Sequence, residues 1–197
     1  MKKLLLIMGD LAAGKTTLAN KLATRYNVVA FNKDEFKEVI ANTYSFKTRE
    51  ESRQISILAV ESMINIFTHF AVVNKPLILE SNFHQDEIKK IHDLANSYGY
   101  DVLTLLVKAD IKLLHSRFVN RADNENRHPV HCSEVFKNFN DFKNYIEFQR
   151  SELPLGKVIN VDATNFNYQD DEKLLALIDK FMNSWLRKIK LSFFFYL

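Results

Sequence analysis

Apolar and polar positions follow two rhythms along this chain. Short continuous apolar runs occupy Leu4 to Met8, Val28 to Phe31, Leu77 to Leu79, Val102 to Val107 and Val158 to Val161. Each is too short for a helix and leads into polar or loop-forming residues, the pattern of parallel strands covered on both faces. Between them lie longer stretches of helical character: Lys15 to Tyr26, Lys33 to Thr43, Lys47 to Asn74, Glu87 to Tyr98, Ile111 to Ala122 and Asp170 to Lys190. In the longest, Ile55, Leu58, Ala59, Ser62, Met63, Ile66 and Phe70 recur at threes and fours and predict one buried stripe. Gly99 stands at a helix stop and Asp110 at a helix start. Five strands separated by helices predict a doubly wound three-layer α/β/α fold around a five-stranded parallel sheet.

Length and composition narrow this picture. A chain of 197 residues with 47% hydrophobic residues fits one domain, residues 1–190, followed by an aromatic tail at 191–197. Four glycines and three prolines leave no linker-like stretch. The net charge of +3 announces no polyanionic partner, so nucleic acid is not the favoured ligand. The single cysteine, Cys132, excludes an internal disulfide framework and points to a reducing, cytoplasmic setting. Met1-Lys2-Lys3 and the apolar run after it are too short for a signal peptide, and no apolar run approaches the roughly 20 residues that span a bilayer. The tail Leu191-Ser192-Phe193-Phe194-Phe195-Tyr196-Leu197 is expected to pack on the body or on a second copy of the chain, with a peripheral membrane contact as the alternative.

Candidate chemistry begins at the end of the first strand. Gly9-Asp10-Leu11-Ala12-Ala13-Gly14-Lys15-Thr16 matches G-x-x-x-x-G-K-[ST] between a strand and a helix, with Thr17 just inside the helix. Glycines let successive N–H groups converge on phosphate oxygens, and the helix N-terminus adds its dipole. Lys15 is expected at the β- and γ-phosphates and Thr16 at magnesium, so ATP with Mg²⁺ is the expected ligand pair. Asn32-Lys33-Asp34-Glu35 imitates a guanine-reading motif, but its Asp is one position early and it lies too near the first helix. Motor and transport ATPases need longer chains with coupling elements, which leaves a small kinase.

These motifs resemble the small P-loop kinases of the polynucleotide kinase and chloramphenicol phosphotransferase type, grouped with zeta-toxin-like kinases. The resemblance rests on Gly9 to Thr17, on Asn32-Lys33-Asp34-Glu35-Phe36 after the second strand, and on Arg117-x-x-x-Arg121 before a lid-like segment, about 117–132. It implies that Asp34 accepts the proton of the hydroxyl being phosphorylated, with Glu35 as the fallback, and that the arginine face closes over the triphosphate. A carboxylate beside the acceptor is what the chemistry requires. Read without the phosphate loop, Asp34 is rather the cap of the helix that follows it; with the loop and the family pattern, the catalytic role is preferred.

Arg117 and Arg121 lie four apart on a predicted helix and so share a face, as guanidiniums that stabilise a transferring phosphoryl group would. Arg127 follows in a loop and could complete that clamp. Glu80, at the end of the third strand, is placed to hold a magnesium-bound water, and Asn82 and His84 to face the acceptor, because ligands gather at the carboxyl edge of such sheets. Asp162 and Thr164 follow the last strand, where relatives of this fold pass their backbone beside the adenine. His128, His131 and Cys132 lack a second ligand pair and make a poor zinc site. Together these residues predict an ATP-dependent phosphotransferase acting on a hydroxyl of a small molecule or nucleotide. The alternatives are a polynucleotide 5′-hydroxyl kinase and a non-catalytic ATP-binding module.

Overall fold

The structure, a computed structural model, describes residues 2–194 other than Asn126 and Cys132; side chains at 133 and 184–194 lie outside the description. Five strands, β1 (Lys2–Gly9), β2 (Val29–Asn32), β3 (Leu77–Glu80), β4 (Tyr100–Lys108) and β5 (Lys157–Asp162), form one sheet in the order β2-β3-β1-β4-β5. Every pairing is parallel. Among the described residues seven α-helices cover it: α1 (Lys15–Tyr26), α2 (Lys33–Thr43), α3 (Arg49–Val72), α4 (Gln85–Ser97), α5 (Ile111–Asn124), α6 (Phe139–Ser151) and α7 (Glu172–Phe194). The expected five-stranded three-layer architecture is the observed one.

Side-chain alternation along the strands divides the core in two. Leu5 and Ile7 of β1, with Leu103, Leu105 and Val107 of β4, face the layer that holds Leu18, Leu114, Phe142 and Ile178 of α1, α5, α6 and α7. Leu4, Leu6 and Met8, with Leu77 and Leu79, face Met63 and Phe67 of α3 and Ile88 and Ile91 of α4. Because β1 is central and buried on both faces, its carboxyl end is held rigidly between β3 and β4. The loop that follows inherits that rigidity.

Several element ends are set by local chemistry. Thr48 and Glu51 form a reciprocal capping box at the start of α3. Asp110 caps α5 by accepting from the Leu113 N–H, as expected. Asp34 is not a cap: Asn32 is, accepting from the Asp34 N–H, which leaves Asp34 in the first turn of α2 with its carboxylate uninvolved in capping. Helix α7 continues through 191–194, so the expected tail begins as helix; its aromatic side chains lie outside the described residues. Helix α3 is long and apolar enough to cross a membrane by length and composition alone. In the fold its Ile55, Ala59, Met63, Phe67 and Ala71 are buried against the protein.

The sequence reading assigns no element to Phe139–Ser151, yet α6 is a full helix capped by Asn138. Between α5 and α6 the chain makes two short turns of 3₁₀ helix, Pro129–His131 and Ser133–Lys137. The buried Ser52 hydroxyl of α3 donates to the Val130 carbonyl at 2.6 Å, tying the first of these turns to the body.

Candidate active site

Backbone geometry at the end of β1 explains the two glycines. Gly9 has φ +127°, and a Cβ there would lie 2.0 Å from the Val107 carbonyl oxygen, so no other residue fits. Gly14 (φ +84°) is the left-handed residue before α1, and it caps that helix without a side-chain bond. The first N–H groups of α1 therefore open onto the loop, with no acidic side chain in the first turn to neutralise them.

Within the loop the side chains divide their tasks. Lys15 is buried, and its ammonium donates to the Asp10 carbonyl at 2.8 Å across the loop's mouth. Burial lowers its pKa, while Glu80, Asp34 and Asp10 oppose that shift. Asp10 is 1% exposed, and its carboxylate is not offered to phosphate. It accepts from Arg150 at 3.1 and 2.6 Å and from the Ala109 N–H at 3.1 Å. Asp10 can therefore meet a nucleotide only through its backbone. The Ala13 carbonyl accepts from the Tyr168 hydroxyl at 3.0 Å, which anchors the loop from its other side.

Thr16 meets the third strand directly. Its hydroxyl donates to Glu80 Oε2 at 2.9 Å, and Asn32 Nδ2 donates to the same oxygen at 2.6 Å. Burial raises the Glu80 pKa, with Lys15 pulling the other way. Two oxygens from Thr16 and Glu80 fit a hard cation that draws its remaining ligands from water and phosphate. Among the described residues no cluster of three or more His, Cys, Asp or Glu could hold a metal by itself. Cys132 of the weak zinc candidate lies outside the described residues.

Across the cleft, Asp34 is faced by several basic side chains. Lys33 Nζ is 3.4 Å and His131 Nδ1 3.9 Å from its carboxylate, and His131 Nε2 pairs with Glu38 at 2.7 Å. Burial pushes the Asp34 pKa up, but Lys33, His131, Lys15 and Arg127 overrule it and hold the group down at about 2. Burial pushes Lys33 down, yet Asp34 leaves it raised. Asp34 is thus an anion whose charge is fixed by its neighbours, while its carboxyl remains 44% exposed toward the cleft. Glu35, the fallback base, is exposed and does not line this cleft, but it lines an adjoining pocket of about 480 Å³ together with Asp34, Arg121 and Arg127.

The remaining expected residues are partly gathered. Arg121, Arg127 and Asn82 line the same cleft of about 1190 Å³ as the loop and Asp34, as does His84. Arg121 pairs with Glu125 at 2.6 Å. Asn82 lies against the Tyr145 hydroxyl, while its Oδ1 is buried without a partner. His84 is held at the rim by Glu152 at 3.3 Å. Arg117 is turned to the far end of the cleft, where it donates to the Ala163 and Thr164 carbonyls at 2.7 and 2.6 Å and stacks over Phe166. Asp162 accepts from the N–H and hydroxyl of Thr164, so their side chains are used on each other. The sequence reading missed Tyr145 and Arg150, both on α6, and gave no role to Lys33 or Phe166. Only Lys33 carried a signal, its place inside the motif with Asp34.

The order β2-β3-β1-β4-β5 with a phosphate loop after β1 is a P-loop kinase-like fold. Among solved structures the chain is similar to a candidate kinase from Chloroflexus aurantiacus J-10-fl, at 26% identity and TM-score 0.70 over 97% of both chains. It shares its fold with a sugar kinase from Janibacter sp. HTCC2649, at 14% identity and TM-score 0.60 over 91% of this chain and 95% of that one. A gluconokinase from Sinorhizobium meliloti 1021 shares it too, at 13% identity and TM-score 0.53 over 99% and 97%. No curated protein matches the chain. The Zeta toxin family model matches residues 1–173, a span that includes the phosphate loop, Asp34, Glu80 and α5, and the chain belongs to that family.

Proposed function

We propose that this protein is an ATP-dependent phosphotransferase that moves the γ-phosphoryl group to a hydroxyl of a small molecule. The observation that carries the reading is Asp34: a carboxylate held ionised by Lys33, His131, Lys15 and Arg127, opening into the same cleft as the phosphate loop. A protein that only sensed nucleotide would have no use for such an anion opposite the triphosphate. The arrangement serves proximity and charge, the two effects that dominate phosphoryl transfer. Lys15 and the N-terminal N–H groups of α1 hold the phosphates. Thr16 and Glu80 would hold magnesium, which would supply charge neutralisation of the phosphate oxygens.

With its pKa near 2, Asp34 is a weak base toward a free alcohol. Its task is to accept the hydrogen bond that orients the hydroxyl, and to receive the proton as the bond to phosphorus forms, when the alcohol has become strongly acidic. Asn82, with its unpartnered buried Oδ1, and Tyr145 stand beside it as contacts for the acceptor's polar groups. Arg121 and Arg127 supply guanidiniums for the charge on the transferring group. The near-balanced charge of the chain favours a small molecule over a polynucleotide, and the basic lining of the cleft, with Lys37, Arg49 and Arg53 beyond the phosphate loop, suits an acceptor that is itself anionic.

The test is a screen of hydroxyl-bearing metabolites, antibiotics and 5′-hydroxyl oligonucleotides with Mg-ATP, read by mass spectrometry as the gain of one phosphoryl group. For the acceptor found, Asp34→Asn should lower kcat by about 10²- to 10⁴-fold, the usual range for a positioned acid–base group, with ATP affinity unchanged. Equal activity in the variant would exclude the role given to Asp34.

A further inference from the structure

Asp34, His131 and Glu38 stand in a line that leads away from the cleft. His131 ends the 3₁₀ turn Pro129–His131, and that turn is pinned to α2 and α3. Val130 is fully buried with Ala41 and Ile55, the Ser52 hydroxyl donates to its carbonyl at 2.6 Å, and His128 meets Asn42 at 3.2 Å. The imidazole so held is 7% exposed. Its Nε2 lies 2.7 Å from Glu38 Oε1, which places the hydrogen of the neutral ring on that nitrogen. Nδ1 then carries a bare lone pair, and it lies 3.9 Å from Asp34 Oδ2. That gap is about 1 Å more than a hydrogen bond, and Asp34, with its side chain 44% exposed, has room to turn across it. The charged groups that face the ring are Asp34, Lys37 and Glu38 of α2 and Arg127 of its own segment. The two carboxylates raise its pKa and the two cations lower it, so burial decides and leaves the ring neutral at neutral pH.

We propose that His131 takes from Asp34 the proton given up by the hydroxyl being phosphorylated, with Glu38 holding the imidazole in the receiving tautomer. This rests on the reading of Asp34 as the group that meets the hydroxyl. As the bond between the acceptor oxygen and the γ-phosphorus forms and the bond to the leaving β-phosphate oxygen breaks, the hydroxyl proton passes to Asp34. The neutral carboxyl turns and donates to Nδ1, whose electron pair takes the proton. Asp34 is an anion again, and the imidazolium stands between two carboxylates. The proton then leaves through the adjoining pocket of about 480 Å³, which Asp34, Glu38 and His131 line together, and the neutral ring is restored. Both ends of the transfer suit it: a carboxyl held down at about 2 gives up its proton readily, and a neutral imidazole is free to receive it. Without this outlet the proton would have to leave through the cleft that both products occupy. His131 acts on the reaction through Asp34 alone, which makes it a positioning residue for the proton.

Two measurements on the full chain test this. Titration of nitrogen-15 histidine-labelled protein by long-range proton–nitrogen NMR needs no acceptor. His131 should be the Nε2–H tautomer when neutral, and Asp34→Asn should lower its titration midpoint, because the anion that favours its charge is gone. An Nδ1–H tautomer, or a midpoint indifferent to Asp34→Asn, would overturn the proposal. With an acceptor in hand, His131→Ala should lower kcat by about 10- to 100-fold, less than the loss of Asp34 itself, while KM for Mg-ATP stays as it was. Free imidazole, entering by the adjoining pocket, should restore much of that rate, and the rescue should follow the neutral form of imidazole as pH is varied. His131→Gln, which can keep the bond to Glu38 but cannot take a proton, should be as slow as His131→Ala, and imidazole should not rescue it. Native kcat in His131→Gln, or a slow His131→Ala of native Tm that imidazole does not rescue, would leave the residue a packing role only. A screen that yields no acceptor would count against the kinase reading, and the NMR titration would still decide whether Asp34 and His131 face each other as the proton path requires.

Discussion

At the scale of single residues, the site is built from positions where one chemistry alone is tolerated. Gly9 is the clearest, because a methyl group there would overlap the Val107 carbonyl at 2.0 Å in a backbone region closed to side chains. Gly9→Ala should lower stability by more than about 2 kcal/mol and weaken nucleotide binding with it, measured by urea denaturation and calorimetry. His131 shows a subtler constraint. Burial lowers its pKa below the ordinary 6.5, against the pull of Asp34 and Glu38, and burial lowers that of His92 in the same way. With both folded-state values depressed, the unfolded chain binds more protons below pH 6.5. Stability therefore rises with pH through that window and is lost on acidification toward the lowered values. Denaturation midpoints should fall between pH 7.5 and pH 5.5, and His131→Gln should remove part of the fall, leaving the share that belongs to His92. Burial raises Glu80 and Glu87, which act in the opposite sense, so the test is the difference between the two profiles: a His131→Gln variant whose fall equals that of the native protein would contradict the burial of His131.

At the scale of elements, the least expected contributor is α6. Its Arg150 makes a two-pronged bond to the buried Asp10 carboxylate and a third bond to the Ala109 carbonyl at 2.6 Å, so it fastens the phosphate loop to β4 and α5. Arg150→Ala leaves a buried anion with only the Ala109 N–H and should cost about 3–5 kcal/mol in a denaturant titration. The double variant Asp10→Asn with Arg150→Met should recover much of that loss, because no charge is then stranded. This element also marks the limit of what the sequence discloses. The strands and α1 were legible because β1 and β4 are buried on both faces and read as unbroken apolar runs, and because the loop motif fixes where α1 begins. In α6 only Phe142, Ile146 and Gln149 are buried, amid asparagines and charges, which makes a faint stripe. Tyr145 and Arg150 were illegible for the same reason. Asp34 was legible as a position, whereas its ionisation depends on Lys33, His131 and Arg127, which only the fold brings to it. Arg117 and Arg121 were legible as a pair on one face, but what each touches is set by the loop after β5 and by Glu125.

At the scale of the whole molecule, the cleft is assembled from segments far apart in the chain. The loop and α1 come from one end, Asp34 from α2, Glu80 from β3, Arg121 from α5, Tyr145 from α6 and Phe166 from the stretch before α7. None of these meets the others in the unfolded chain, so a triphosphate that touches several of them binds the folded state alone. By mass action, nucleotide at 100 times its Kd should add about 2.7 kcal/mol to the free energy of unfolding. The rise in Tm on adding Mg-ATP should grow with the logarithm of nucleotide concentration. Lys15→Ala, which removes the buried ammonium at the loop's mouth, should abolish that growth while the midpoint without nucleotide moves little, because burial already disfavours the charge there. The two core clusters on opposite faces of the sheet share β1 and β4, so a ligand fixed at the carboxyl end of β1 holds both. The nucleotide-induced rise should therefore appear as a single cooperative transition, with near- and far-ultraviolet circular dichroism giving the same midpoint; midpoints that separate on adding Mg-ATP would show that the ligand stabilises one part of the fold only.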